Sequence, residues 1–103
     1  MLLYTRSMNN PLIIDTREPY EYEQSHVEGA VNVSPAEFLS GVLPQAFENV
    51  PKDTPIIMYC KTGHRANTCS MILYKFGFTD ITNGTNEHRV RQMLNMRKSS
   101  AVQ

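Results

Sequence analysis

The residues best equipped for chemistry lie together in Tyr59-Cys60-Lys61-Thr62-Gly63-His64-Arg65-Ala66, where one thiol is followed by three basic side chains and a glycine. A β-rich run precedes Cys60, and residues of helical spacing begin just after it. The cysteine therefore falls in a strand-to-helix loop, with backbone N–H groups gathered at the positive end of a helix dipole. Such a loop cradles an anion. A thiol at its base, beside Lys61, His64 and Arg65, has surroundings that lower its pKa from about 8.5 into the range of roughly 3.5 to 7.5. Gly63 serves the same end: a loop that turns its amides inward needs a positive φ, which glycine adopts without a Cβ clash.

Each of these residues also has a structural explanation. An inert buried thiol is the common fate of a free cysteine, but a cationic helix N-terminus is the wrong environment for one, so Cys60 reads as a nucleophile. Arg65 has two equal roles open to it, contact with substrate or pairing with an acid that locks the loop. Lys61 and His64 are expected to face solvent, where the plain role is a solvated charge; histidine is the side chain that titrates near neutral pH, which makes His64 the better tuner of acidity. Cys69 shares an apolar stripe with Ala66 and Phe76 and reads as core, with a resolving thiol as the alternative. Asp15, Arg17 and His26 read as scaffold near the site: a strand-end cap, a binder of nearby carbonyls or carboxylates, and the residue before a turn. Glu18, Glu21, Glu23 and Glu28 read as one solvated face, and the six methionines as packing. The basic group Arg89, Arg91, Arg97 and Lys98 reads as a soluble helix end.

The elements that must hold this loop alternate between short apolar runs and helical patterns, which points to βαβ units and an α/β fold. Leu12–Ile14, Val31–Val33 and Ile56–Tyr59 read as strands apolar on both faces, as in a sheet covered by helices on each side. Asp80–Thr82 is a weaker strand candidate, and Leu2–Thr5 an edge strand or a frayed end. Pro19 suits the first turn of a helix through Glu23. Ser34-Pro35-Ala36-Glu37 forms a capping box, with Gly41 ending the turn. Val42–Asn49 reads as a short helix interrupted at Pro44. Ala66, Cys69, Ile72, Leu73 and Phe76 form the stripe of a helix over 65–76 that stops at Gly77. A last, basic helix spans Asn86 to about Met96.

With 103 residues, 41% hydrophobic and 19% charged, there is room for a single domain over 1–103, with 1–10 and 97–103 expected to be flexible. Ten basic side chains cancel ten acidic ones, which disfavours nucleic-acid binding. The longest apolar run, Ile56–Cys60, is far short of the roughly 20 residues that span a bilayer, so no membrane partner is expected. The start MLLYTRSMNN does not read as a secretory signal. The cytoplasm, with both cysteines as thiols, is the expected location. The two cysteines match no zinc pattern.

Two further stretches carry a family resemblance. Ile14-Asp15-Thr16-Arg17-Glu18-Pro19-Tyr20-Glu21-Tyr22, followed by His26-Val27-Glu28-Gly29-Ala30-Val31-Asn32-Val33-Ser34, resembles the opening signature of single-domain rhodaneses. Cys60-x-x-Gly63-x-Arg65-Ala66 is similar to their active-site loop. The resemblance runs from about Pro11 to about Glu87 and implies a rhodanese-like parallel, five-stranded sheet with helices on both faces. It implies Cys60 as the persulfide-carrying catalytic nucleophile, the amides of residues 61 to 65 around the outer sulfur, and no metal or organic cofactor. Lys61, Thr62, Gly63, His64 and Arg65 are then the substrate-binding residues. Two features depart from the family. Only about a dozen residues precede the Asp-x-Arg motif, and Asn83-Gly84-Thr85-Asn86 keeps one glycine of a usual pair, with no tryptophan anywhere in the chain.

The function implied is thiosulfate sulfurtransferase activity in a monomer. Its partners are a small sulfur donor and a thiophilic acceptor such as cyanide or a thiol, with a protein donor or acceptor as a variant. A cysteine phosphatase or arsenate reductase fits less well: those loops place arginine six positions after cysteine, whereas Arg65 is fifth and Ala66 sixth. A non-enzymatic rhodanese-like interaction or sulfur-carrier module is the remaining alternative, and Cys60 argues against a purely non-enzymatic one.

Overall fold

The computed structural model describes residues 11–102, with side chains through Arg97. Four parallel strands form one sheet in the order β2-β1-β3-β4: β1 Leu12–Asp15, β2 Val31–Asn32, β3 Ile56–Cys60 and β4 Ile81–Asn86. Between and after them come α1 Pro19–Gln24, α2 Pro35–Phe38, a 3-10 turn Gln45–Phe47, α3 His64–Lys75 and α4 Glu87–Val102. The edge strand or frayed end expected at Leu2–Thr5 lies outside the described residues.

The central strands carry apolar side chains on both faces because both faces are covered. On β3, Ile56, Met58 and Cys60 enter one core with Phe38, Phe47, Ala66, Cys69, Leu73 and Phe78, under α2 and α3. Ile57 and Tyr59 alternate into a second core with Val27 and Val90, packed against Tyr22 of α1 and Met93 and Leu94 of α4. Period-two alternation thus assigns the cysteine and the tyrosine before it to opposite faces. All five residues of β3 are buried.

Local signals act as expected at the helix starts. Ser34 N donates to Glu37 Oε2 at 3.2 Å, completing the α2 capping box, and Pro35 takes the first helical position. Glu18 N donates to Glu21 Oε1 at 2.9 Å in a second box ahead of α1.

Four expectations need correction. The doubly covered strand expected at Val31–Val33 is a two-residue strand at the end of the described sheet, where Val31 is 40% exposed while Val33, just past the strand, is buried in the first core. The helix expected over Val42–Asn49 is only the 3-10 turn after Pro44, whose ring cannot sit inside a helix. β4 extends four residues past Thr82, because its polar residues pair with β3. Finally α4 runs on to Val102, since neither glycine nor proline stops it.

A bulge interrupts β4. Asn83 pairs with Met58 but Thr85 pairs with Tyr59, leaving Gly84 as the extra residue. Gly84 is buried, and a Cβ on it would stand 2.5 Å from Val90 Cγ2 and 2.9 Å from Ile57 Cγ2. Only a bare α-carbon lets α4 settle on this face of the sheet.

Candidate active site

β3 ends at Cys60 and α3 starts at His64, so the intervening residues must turn sharply. Gly63, the residue ahead of α3, makes the turn with φ 95° and ψ −10°, in the left-handed region that costs glycine nothing. The turn aims Gly63 N at Cys60 Sγ, 3.1 Å away, and the first turn of α3 adds Ala66 N at 3.5 Å. The thiol is buried at the floor of this loop.

Two opposed influences set its acidity. Burial pushes the Cys60 pKa up, but the N–H groups of Ala66, Thr62, Gly63 and Arg65 stabilise the thiolate, and the net shift is downward. The largest stabilising influences are backbone amides, and the Arg65 side chain also interacts with the Cys60 sulfur. The amide cradle read from the sequence is thus present, while of the three cations read beside it Lys61 and His64 are exposed, and neither has an ion-pair partner among the described residues.

Arg65 is locked. Its Nη1 lies 2.8 Å from Glu21 Oε1 and its Nη2 3.3 Å from Glu21 Oε2, a two-pronged pair that ties α3 to α1 across 44 positions of sequence. Glu21 is therefore not part of a solvated face: the same Oε1 caps α1 through Glu18 N and holds Arg65. Hydrogen bonding from Arg65 lowers the Glu21 pKa to about 2 against the opposing effect of burial. A depressed carboxylate pKa contributes stability above its unfolded value, near 4.5, and that contribution fades as pH falls towards 2. The pair is partly exposed, so its worth is about 1 kcal/mol at most. Urea melts should show Glu21→Gln less stable than wild type at pH 6, with the difference shrinking steadily below pH 4.5 as the pH approaches 2; a difference independent of pH would contradict the pairing.

Asp15, Arg17 and His26 belong to the other side of the sheet. Asp15 is fully buried and accepts from Arg17 N (2.9 Å), Arg17 Nε (2.9 Å), Arg17 Nη2 (2.7 Å) and Tyr59 Oη (3.0 Å). Arg17 also donates to the Ser25 carbonyl and lies 3.5 Å from Glu87. Burial drives the Tyr59 pKa up, keeping the phenol a donor to Asp15 while it accepts Val27 N at 3.0 Å. His26 stacks on Tyr22 at 3.7 Å, with Nδ1 2.7 Å from the Tyr22 carbonyl oxygen. The network meets the loop through Thr16, whose N and Oγ1 both donate to the Tyr59 carbonyl at 2.9 Å, fixing the peptide that leads into Cys60.

Cys69 lines the core beneath α3 and is 1% exposed. Burial pushes its thiol up to about 12, which leaves no thiolate at neutral pH. Brief treatment with iodoacetamide at pH 7 should label Cys60 alone in the folded protein; peptide mass mapping that finds Cys69 labelled first would contradict this arrangement.

Two shallow depressions flank the loop. One, of about 270 Å³, is bordered by Thr62, Gly63, His64, Asn67, Asn83 and Thr85. The other, of about 280 Å³, lies among Pro35, Leu39, His64, Arg65, Thr68 and Cys69. His64 is shared by both. The sequence reading missed Glu21, Thr16 and Asn83 as supports of this site; for Asn83 a signal existed in Asn-Gly, a pair that marks turns.

The site is a buried thiol at the end of a central parallel strand, held by loop amides at the start of a helix. Residues 3–85 match the family described as the rhodanese-like domain. The chain belongs to that family. Among solved structures, a rhodanese with anions from E. coli superposes with a TM-score of 0.66 at 28% identity, covering 77% of this chain and 89% of that one. The human single-domain sulfurtransferase TSTD1, at 20% identity and a TM-score of 0.61, covers 82% of this chain and 81% of its own and shares the fold. Curated relatives include the tRNA uridine(34) hydroxylase of Cronobacter sakazakii, 38% identical over 72 residues, and that of Escherichia coli strain K12, 39% identical over 72. The match covers 68% of this chain but 20% of either hydroxylase, so the chain spans about a fifth of their length. Among the described residues, no helix of this rhodanese-like chain is long and apolar enough to cross a membrane.

Proposed function

We propose that this rhodanese-like chain is a sulfurtransferase that moves a sulfane sulfur from thiosulfate, or from a persulfide donor, to a thiophilic acceptor through a Cys60 persulfide. The observation that carries the reading is the Cys60 sulfur, accepting from Gly63 N and Ala66 N at the start of α3. In the first step the Cys60 thiolate attacks the outer sulfur of thiosulfate. A new S–S bond forms, the donor's S–S bond breaks, and its electron pair leaves with sulfite. In the second step cyanide or a thiolate attacks the outer sulfur of the persulfide, and the Cys60 thiolate departs with the electron pair of the S–S bond. The protein's contribution is electrostatic: amides already aimed at the sulfur stabilise the anionic thiolate and persulfide without reorganising.

Donor binding is assigned to the exposed loop residues Lys61 and His64, with Arg65, paired to Glu21, also interacting with the Cys60 sulfur. Lys61→Ala should raise KM for thiosulfate severalfold and leave kcat little changed, since a point charge at the rim holds the dianion equally before and during reaction. Thiocyanate formation from thiosulfate and cyanide is the test of the whole reading, and no Cys60-dependent product would sink it.

A second reading is favoured by the 38–39% identity to the tRNA uridine(34) hydroxylases: a part in tRNA modification. A net charge of zero gives this chain no general attraction for polynucleotide. Cys60-dependent modification of tRNA uridine in the absence of any sulfur transfer would favour the second reading over the first.

A further inference from the structure

Asn83 lies at the rim of the loop, on the β4 bulge. Its Nδ2 donates to the Gly63 carbonyl at 3.0 Å, and its Oδ1 accepts Thr85 N at 2.9 Å. The Gly63 carbonyl also accepts Asn67 N, in the first turn of α3, at 2.9 Å. Gly63 is the residue of the loop with the least intrinsic preference for its own conformation, yet its N–H must point at the Cys60 sulfur. One peptide plane of Gly63 carries that N–H. The other carries the carbonyl that Asn83 holds.

The strand is bent to place this side chain. Thr85 has φ 73°, the one positive φ outside glycine among the described residues, and a β-branched residue adopts it only at a cost. Asn83 Oδ1 on Thr85 N fixes that conformation, and the Gly84 bulge sets Asn83 and Thr85 beside the loop. Strain of this kind, next to a nucleophile, has an account if the bulge buttresses the loop.

We propose that Asn83 is a positioning residue that, by clamping the Gly63 carbonyl, holds the Gly63 N–H on the Cys60 sulfur. The inference rests on Cys60 being the nucleophile of the proposed reaction, but its test reads the thiol directly and needs no sulfur donor. A failed thiosulfate assay therefore leaves it standing.

The test is the pH dependence of iodoacetamide alkylation at Cys60, followed by peptide mass in the full chain, for wild type, Asn83→Ala, Thr85→Gly and the double variant. Asn83 is exposed, so truncation leaves the core intact, and Thr85→Gly removes the backbone strain, letting the bulge persist without Asn83. Loosening one amide donor to a thiolate should raise the alkylation midpoint by about half to one pH unit in Asn83→Ala and in the double variant. Thr85→Gly alone should leave it unchanged. A lower melting temperature with an unmoved midpoint would make Asn83 a plain structural support and overturn the proposal. A midpoint that returns to the wild-type value in the double variant, or rises equally in Thr85→Gly, would assign the effect to the bulge and overturn it too.

Discussion

Asp15→Ala should cost about 3 kcal/mol of stability or more, the range expected when one partner of a buried ion pair is removed and the other is left behind. Asp15 is fully buried, and Arg17 is 8% exposed. Deleting the carboxylate strands a guanidinium that Glu87, at 3.5 Å, and the Ser25 carbonyl satisfy only in part. It also takes the acceptor from the Tyr59 hydroxyl inside the second core. For a domain of this size such a loss lowers the melting temperature by roughly 10 to 20 °C. Well below that temperature, sulfur transfer per folded molecule should fall far less than stability does, because Tyr59 and Cys60 face opposite sides of the sheet. An unchanged melting temperature with lost persulfide formation would make Asp15 part of the chemistry and contradict the scaffold assignment.

The parts of the molecule legible in the sequence are those encoded locally. α3 showed itself through an apolar stripe at helical spacing, the α2 start through a capping box, and the loop through a cysteine, a glycine and basic residues between a strand and a helix. Pairings over long separations were not legible. Glu18, Glu21, Glu23 and Glu28 look alike in a one-dimensional chain, and only the fold selects Glu21 to meet Arg65, 44 positions away. β4 was hard to see past Thr82 because Asn83, Gly84 and Asn86 are turn formers by composition; pairing with β3 makes a strand of the stretch, and the bulge at Gly84 absorbs the mismatch. β2, at the end of the described sheet, failed in the opposite direction: Val31 looks like core but is exposed.

This division explains a feature of the site. The residue types announced an acidic thiol, but the cations that drew attention to it are not its main support. Lys61 and His64 face solvent and Arg65 is held by Glu21, while the groups that favour the thiolate are amides whose directions come from Gly63 and the first turn of α3. Backbone direction has no letter in the sequence apart from the glycine that permits it.

The largest effect on chemistry is expected at the sulfur itself. Cys60→Ser keeps the size and place of the side chain, so folding should change little, yet a hydroxyl at neutral pH is neither ionised nor able to hold a sulfane sulfur. Sulfur transfer should drop to background, and Cys69 cannot substitute, because its buried thiol stays protonated. The most direct measurement is the intact mass of the full chain after thiosulfate exposure and removal of excess reagent, with and without later cyanide. The wild-type protein should gain the mass of one sulfur atom and lose it to cyanide, and Cys60→Ser should gain none. An adduct that survives in Cys60→Ser and disappears in Cys69→Ser, or a wild-type protein that gains no sulfur at all, would contradict Cys60 as the persulfide-bearing nucleophile.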